Sequence, residues 1–172
     1  RAGSPGCSVA HDHGDMTQAV HRCVGVGKCR ADTSAAGGFM CPSYQATKDE
    51  KDVTRARARV LQEAVNGTLV GGLAAPEVRE SLDLCLSCKA CSSDCPAGVD
   101  MAQYKSEVLY RTYRGKLRPV DHYSLGWLPV WARLATGMPR LANKLIAFRP
   151  LAQAVLWAGG SDTRGALPEV GE

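Results

Sequence analysis

The spacing of the cysteines constrains this chain more than any other feature. Four of its eight cysteines lie between Cys85 and Cys95, in the run C-x2-C-x2-C-x3-C, and Pro96 follows the last of them. This run is the bacterial iron–sulfur ligand pattern, in which three thiolates hold one cluster and the fourth ligates another. The run therefore predicts that Cys85, Cys88 and Cys91 share one cluster and that Cys95 belongs to a second one.

Two other uses of clustered cysteines fit this run less well. Structural zinc takes two pairs of ligands separated by a longer span, which would leave Cys91 and the trailing Cys95-Pro96 unexplained. Disulfides need an oxidising compartment, and no apolar signal segment opens the sequence. A structural zinc module is therefore kept as an alternative to iron–sulfur binding, and disulfide pairing is not expected.

An incomplete copy of the same run comes earlier in the chain. Cys23 and Cys29 have the spacing of the first and third cysteines, but Val26 stands at the middle position. The next cysteine, Cys41, again precedes a proline, with eleven residues between it and Cys29 instead of three. The earlier segment is thus a degenerate copy that lacks one thiolate.

The crossed arrangement typical of the run predicts two ligand sets. The first set would hold a complete 4Fe-4S cluster and comprises Cys41, Cys85, Cys88 and Cys91. The second set is one thiolate short and comprises Cys23, Cys29 and Cys95. Three outcomes are open there: a 3Fe-4S cluster, a 4Fe-4S cluster with His21 as its extra ligand, or a 4Fe-4S cluster completed by Cys7. A lone histidine is more often structural than a ligand.

The apolar periodicity predicts an all-α fold, with the cysteines in loops between short helices. Residues 51–66 form a helix that ends at Gly67, with its apolar side chains at steps of three and four: Val53, Ala56, Val60 and Ala64. Pro76 can begin a second helix that leads into Cys85, and Asp100 can cap a third. No alternation typical of strands is found.

The composition indicates a folded protein that does not bind nucleic acid. Apolar residues make up 45% of the chain and charged residues 22%, which is typical of globular proteins. The net charge of +4 is too small to indicate a polyanionic partner. No apolar run reaches the roughly 18 residues of a membrane-spanning helix, so no transmembrane segment is predicted.

The chain divides into three segments. Residues 1–15 are rich in Gly, Ser and His and are expected to be a flexible lead-in or linker. Residues 16–118 hold both cysteine motifs and form the predicted dicluster domain. Residues 119–172 are cut by prolines into short helices that need a surface to pack on. Their Trp- and Leu-rich stripe predicts packing on the rest of a larger protein or on a partner, with a membrane surface as the alternative.

Four phrases of the sequence resemble a known family. They are RCVGVGKCR (22–30), MCPSYQATKDE (40–50), LDLCLSCKACSSDCP (82–96) and VDMAQYK (99–105). The cysteine segments resemble the α-helical ferredoxin module in the iron–sulfur subunits of succinate dehydrogenase, anaerobic glycerol-3-phosphate dehydrogenase and glycolate oxidase. The longer phrases are similar to the fused FAD-linked oxidases of the D-lactate and D-2-hydroxyglutarate dehydrogenase type.

The resemblance implies a module with two iron–sulfur clusters that passes electrons away from a flavin. In succinate dehydrogenase, a valine or isoleucine at the place of Val26 accompanies a 3Fe-4S cluster. In the fused oxidases, an FAD-binding domain precedes the module and a cysteine-rich domain follows it. This chain is therefore expected to be the middle of such a 2-hydroxy-acid dehydrogenase, or a detached module with partner subunits.

The role expected from the resemblance is electron transfer rather than catalysis within this segment. Lys28 and Lys89 lie next to ligand cysteines and are expected to raise the cluster potentials. The alternative is a catalytic cluster whose open iron site binds substrate, with His21 as the acid or base in sequence range. The expected location is the cytoplasm, either free or peripheral to the inner face of the membrane.

Overall fold

The structure, a computed structural model, describes Val9 and residues 12–32 and 34–160. These residues form α-helices joined by loops and short 3₁₀ turns, and no strand occurs among them. The all-α fold predicted from the sequence is confirmed. The chain divides into two compact units, residues 1–114 and 115–172.

The described part of the first unit contains six α-helices. They are α1 (Met16–His21), α2 (Pro42–Thr47), α3 (Thr54–Val65), α4 (Pro76–Asp83), α5 (Ala90–Asp94) and α6 (Met101–Tyr113). The first cysteine motif lies between α1 and the start of α2, and the second lies between α4 and α6. Each motif is thus held at its ends by helices; Cys29 lies in a 3₁₀ turn and Cys91 in the short helix α5, and the other cysteines lie in loops or at helix ends.

Short polar and proline signals set where these helices begin. Asp15 caps α1, because its carboxylate accepts a hydrogen bond from the backbone N–H of Thr17 at 2.8 Å. Pro76 occupies the first turn of α4, where the N–H that proline lacks would have no helical partner. Asp100 caps α6 by accepting from the N–H of Gln103 at 3.1 Å. The helix starts predicted at Pro76 and Asp100 agree with the structure.

The helix α3 lies at the centre of the first unit, where it packs against α1, α4 and α6. Its buried face comprises Thr54, Arg57, Ala58, Leu61 and Ala64. The sequence analysis expected the apolar face on Val53, Ala56, Val60 and Ala64, but Ala56 and Val60 are only half-buried. The face differs because two polar residues, Thr54 and Arg57, are turned inward toward the cysteines.

Packing in the first unit starts before Met16, where the sequence analysis placed the start of the domain. Val9 is fully buried in the core, and the carboxylate of Asp12 forms an ion pair of 2.6 Å with Arg22. The expected lead-in therefore contributes an apolar side chain and a charge pair to the domain, neither of which has a periodic sequence signal. The rest of residues 1–11 lies outside the described residues.

The described part of the second unit consists of four α-helices. They are α7 (Val120–Ser124), α8 (Leu128–Gly137), α9 (Pro139–Ala147) and α10 (Arg149–Ala158). Prolines stand in the first turns of α8, α9 and α10. None of these helices contains a buried residue, and many of their large apolar side chains, Trp131 and Trp157 among them, are exposed. No helix among the described residues has the length and apolar content needed to cross a membrane.

Candidate metal centre

The cysteines of the two motifs surround two cavities in the first unit. The first cavity is lined by Cys41, Cys85, Cys88 and Cys91. The second cavity is lined by Cys23, Cys29 and Cys95. Each cavity therefore receives cysteines from both motifs, in the same two groups that the spacing predicts.

The two cysteine loops share a backbone conformation. Ser87 and Lys89 have left-handed backbone angles (φ 52° and 61°) and flank Cys88. Gly25 and Gly27 have left-handed angles too (φ 82° and 80°) and flank Val26. The residues of the first pair carry a strained conformation that glycine adopts freely. The first loop is thus a structural copy of the second, with Val26 at the position of Cys88.

Hydrogen bonds from the surrounding helices fix the cysteines. The backbone N–H of Met101, at the start of α6, donates to the sulfur of Cys91 at 3.3 Å. Lys105 Nζ donates to the carbonyl oxygen of Cys85 at 2.7 Å. Gln62 Nε2, on α3, donates to the carbonyl oxygen of Cys23 at 3.1 Å. The loops are therefore oriented by helices that the sequence itself predicts.

Burial controls the protonation of the thiols. It raises the pKa of Cys29, and it raises the pKa of Cys91 to about 11. Burial also opposes ionisation of Cys41, but hydrogen bonds from Thr54, Tyr44 and Ser43 and the charge of Arg57 hold its pKa below the ordinary value. Because metals bind thiolates, metal binding at these cavities releases protons from the buried thiols.

The first turn of α3 lies between the two cavities. Thr54 is buried and is the one described residue that lines both of them. Arg55 lines the second cavity, and its backbone N–H donates to the sulfur of Cys29. Arg57 lines the first cavity, where its Nη1 donates to the sulfur of Cys41 at 3.6 Å. The sequence analysis missed these residues, since the only signal was the alternation of arginine with alanine at residues 55–59.

The other sequence-predicted residues take different positions. Val26 lines the second cavity and is 63% exposed, so its side chain also faces solvent. Lys28 lines the second cavity and Lys89 the first, and Lys89 forms an ion pair of 3.5 Å with Asp100. The positive charge of Lys89 at the first cavity is therefore partly offset.

Neither of the two candidates for an extra ligand, His21 and Cys7, is among the described residues that line the second cavity. His21 is exposed, its Nδ1 lies 2.7 Å from the carbonyl oxygen of Thr17, and it is absent from the lining of either cavity. Cys7 lies outside the described residues.

The donor set around the first cavity fits a 4Fe-4S cluster. Four cysteines are the usual ligands of such a cluster. Arg57 Nη2 is buried without a hydrogen-bond partner in the described structure, and a cluster sulfur would satisfy it. The second cavity offers three cysteines, which fits a 3Fe-4S cluster or a 4Fe-4S cluster with another ligand. No group of three or more His, Cys, Asp or Glu side chains in the described ranges is arranged to hold one isolated metal ion, as distinct from a cluster of several irons.

Comparison with known proteins adds a family and several relatives. Residues 7–99 match the model of the 4Fe-4S dicluster domain family. The D-2-hydroxyglutarate dehydrogenase of Escherichia coli (strain K12) is 33% identical over 41% of this chain and 7% of the relative. The glycolate oxidase iron-sulfur subunit of the same strain is 35% identical over 46% of this chain and 17% of the relative.

A third relative extends the similarity along the chain. The D-2-hydroxyglutarate dehydrogenase of Pseudomonas putida (strain KT2440) is 27% identical over 81% of this chain and 17% of the relative. No solved structure matches the chain. The matched region thus spans between 7% and 17% of the length of these curated relatives. Since the family model covers more than half of the 172 residues, including all the cysteines of both motifs, the chain belongs to the 4Fe-4S dicluster domain family.

Proposed function

We propose that the chain is an electron-transfer module with two iron–sulfur clusters. The observation that carries the proposal is the crossed lining of the two cavities, in which Cys41 lies with the second motif and Cys95 lies with the first. In the proposed assignment, the first cavity holds a 4Fe-4S cluster on four cysteines. The second cavity holds a cluster on Cys23, Cys29 and Cys95.

The protein's part in the proposed function is to hold and insulate the redox groups. Iron–sulfur clusters supply one-electron transfer when bound, and their potentials depend on net charge, hydrogen bonds to sulfur and exposure to solvent. The chain supplies the ligands, the N–H donors of Met101 and Arg55, and the buried first turn of α3 between the cavities. Because Thr54 lines both cavities, the two clusters would be neighbours and electrons could pass directly between them.

For the second cavity we propose a 3Fe-4S cluster. The loop around Val26 has the conformation of the loop around Cys88, but it carries an apolar side chain at the ligand position. A cluster without the fourth iron needs no ligand there. Ligation by His21 or Cys7 is the rival assignment, and the exposed position of His21 disfavours the first of these.

We propose that the electrons come from a flavin that oxidises a 2-hydroxy acid. The curated relatives include enzymes named D-2-hydroxyglutarate dehydrogenase and a glycolate oxidase iron-sulfur subunit, and the chain spans only a small part of their length. The proposed partners are therefore an FAD-binding domain or subunit and a cysteine-rich domain or subunit. A cytoplasmic location, free or at the inner face of the membrane, is part of the same proposal.

For residues 119–172 we propose a packing role. The helices α8 to α10 carry exposed apolar side chains and no buried residue, so they need a covering surface. The rest of a larger protein or a partner subunit is proposed as that surface, with peripheral membrane contact as the alternative. Flotation of the purified chain with vesicles of anionic phospholipid distinguishes the two: co-flotation supports membrane contact, and its absence supports a protein surface.

The proposed function is tested on anaerobically purified chain. Reduction with dithionite should bleach the visible absorption of the bound iron–sulfur clusters, and reoxidation should restore it. Addition of 2-hydroxy acids in the absence of a flavin partner should leave the spectrum unchanged. A spectral change with the hydroxy acid alone would support a catalytic cluster with an open iron site instead. Colourless protein that contains zinc would support the structural zinc module.

A further inference from the structure

Arg57 is a buried guanidinium group at the first cavity. Arg57 is 1% exposed and lies in the first turn of α3. Its Nε donates to the carbonyl oxygen of Ser81 at 2.9 Å, and its Nη1 donates to the sulfur of Cys41 at 3.6 Å. Its Nη2 is buried and has no hydrogen-bond partner in the described part of the chain.

A buried guanidinium group needs a negative partner, because removing an unpaired cation from water is unfavourable. Within the described residues Arg57 forms no ion pair. The carboxylate whose pKa it helps to lower, Asp52, is bonded to Lys51 at 3.2 Å. Besides this shared carboxylate, Arg57 faces the cysteine sulfurs around the cavity that it lines.

We propose that Arg57 is the buried counter-charge of the cluster on Cys41, Cys85, Cys88 and Cys91 and sets its reduction potential. Nη1 bonds the Cys41 thiolate, and Nη2 is available to a second sulfur. Reduction adds one electron, and so one negative charge, beside a fixed cation in a low-dielectric site. Arg57 therefore stabilises the reduced state and raises the potential. The inference rests on the proposed function and adds to it a positioning residue that tunes one of the two clusters.

The second cavity lacks an equivalent group among its described lining residues. Arg55 lines that cavity, but it is half-buried, and its Nε donates to the carboxylate of Glu50 at 3.0 Å. Lys28 also lines it and is exposed. Solvent and the Glu50 carboxylate screen these charges. Arg57 is therefore expected to act mainly on the first cluster, whose cavity it lines.

The test is an EPR-monitored redox titration of the iron-loaded chain with Arg57→Gln, which keeps a hydrogen-bonding side chain but removes the charge. At a fixed potential, the reduced-to-oxidised ratio of the 4Fe-4S cluster should fall about tenfold, which for one electron is a shift of about 59 mV toward negative potential. The potential of the second cluster, whose cavity Arg57 does not line, should shift by less. The matched control is Arg59→Gln, two residues further along α3, where the side chain is exposed and paired with Glu63.

A second neutral variant, Arg57→Met, covers failure of the glutamine variant to load iron, and the same fall in potential is expected of it. Arg57→Lys keeps the charge, so its potential should lie closer to that of the wild type than the potential of either neutral variant does. An unchanged 4Fe-4S potential in whichever neutral variant loads iron would overturn the inference.

A measurement on the wild type needs no substitution. In protein labelled with ¹⁵N-arginine, pulsed EPR of the reduced 4Fe-4S cluster should detect coupling to arginine nitrogen, and the absence of that coupling would overturn the inference. Either negative result leaves the proposed function standing, since both are obtained on an iron-loaded chain. Wild-type protein without iron would instead overturn the proposed function.

Discussion

The carboxylate of Asp94 accepts a hydrogen bond from the backbone N–H of Met40 at 3.0 Å, and a second one from Phe39 at 2.7 Å. Asp94 directly precedes Cys95, and Met40 directly precedes Cys41. These are the two cysteines that line the cavity of the opposite motif. The Asp94 carboxylate therefore holds the segment before Cys41 next to the segment before Cys95.

Removing this carboxylate should loosen both sites at once. With Asp94→Ala, the N–H groups of Phe39 and Met40 lose their acceptor, so we expect iron to be lost severalfold faster from both clusters under an anaerobic chelator challenge. Asp94→Asn keeps one acceptor oxygen and should fall between Asp94→Ala and the wild type. Equal rates of iron loss in all three proteins would show that the carboxylate does not hold the crossing together.

Removing a ligand of the first cavity should remove one cluster selectively. With Cys88→Ala, we expect loss of the 4Fe-4S signal, a fall of about half in bound iron, and a less stable fold, because metal binding is coupled to folding. Iron analysis and low-temperature EPR measure the first two effects. The control is Ser92→Ala, since Ser92 is exposed and its hydroxyl bonds only the carbonyl oxygen of Lys89. A fully iron-loaded, stably folded Cys88→Ala protein would contradict the ligand assignment.

Supplying the missing ligand should change the second cluster. Val26 lines the second cavity in a loop that matches the one around Cys88, so a thiol introduced by Val26→Cys lies at the ligand position. We expect the EPR signal of the oxidised 3Fe-4S cluster to disappear and one more iron to be bound per chain. Val26→Ala, which shortens the side chain without adding a thiol, should keep the wild-type signal. A 3Fe-4S signal that persists in Val26→Cys would count against the structural equivalence of the two loops.

A buried tyrosine hydrogen bond between α6 and α1 should make the free energy of unfolding fall in alkaline solution. Tyr104 is buried, and its hydroxyl donates to the carbonyl oxygen of Ala19 at 2.6 Å. Burial and the nearby Asp12 raise the pKa of Tyr104 above its ordinary value of 10.0. Because the folded state favours the neutral hydroxyl, its contribution to stability is complete below about pH 10 and is lost as the pH rises further.

The substitution Tyr104→Phe tests this pH dependence. We expect the variant to be less stable by about 1 kcal/mol at pH 7, because it lacks one buried hydrogen bond. Above pH 10 the difference from the wild type should narrow, since phenylalanine does not ionise. Anaerobic guanidinium unfolding of the iron-loaded proteins at pH 7 and pH 10.5 measures both effects. A difference that stays constant or widens with pH would show that Tyr104 does not titrate as described.

The grouping of the cysteines could be predicted because ligand spacing is a local property of the chain. Two-residue steps place three thiols around one loop, and the proline after Cys41 and Cys95 marks the residue that leaves for the other site. The helix starts at Pro76 and Asp100 were predictable for the same reason, since each depends on neighbouring residues alone.

The surroundings of the cavities could not be predicted in the same way. The bond from Met40 to Asp94 joins residues 54 positions apart, and no local pattern signals it. Arg57 breaks the apolar periodicity of α3, so the periodicity gives no signal that it is buried, whereas the structure buries it at the first cavity. Val9 has no periodic neighbours, so its place in the core follows only from tertiary packing.

The most direct test of the central claim is low-temperature EPR on the anaerobically purified chain, oxidised and then reduced, with iron and zinc measured on the same sample. The account predicts a 3Fe-4S signal in the oxidised protein, a 4Fe-4S signal after reduction, and iron without zinc. No EPR signal in the oxidised protein, followed by two interacting 4Fe-4S signals after reduction, would support electron transfer but contradict the 3Fe-4S assignment. His21 and Cys7 would then be the candidates for the fourth ligand. Zinc without iron would contradict the account.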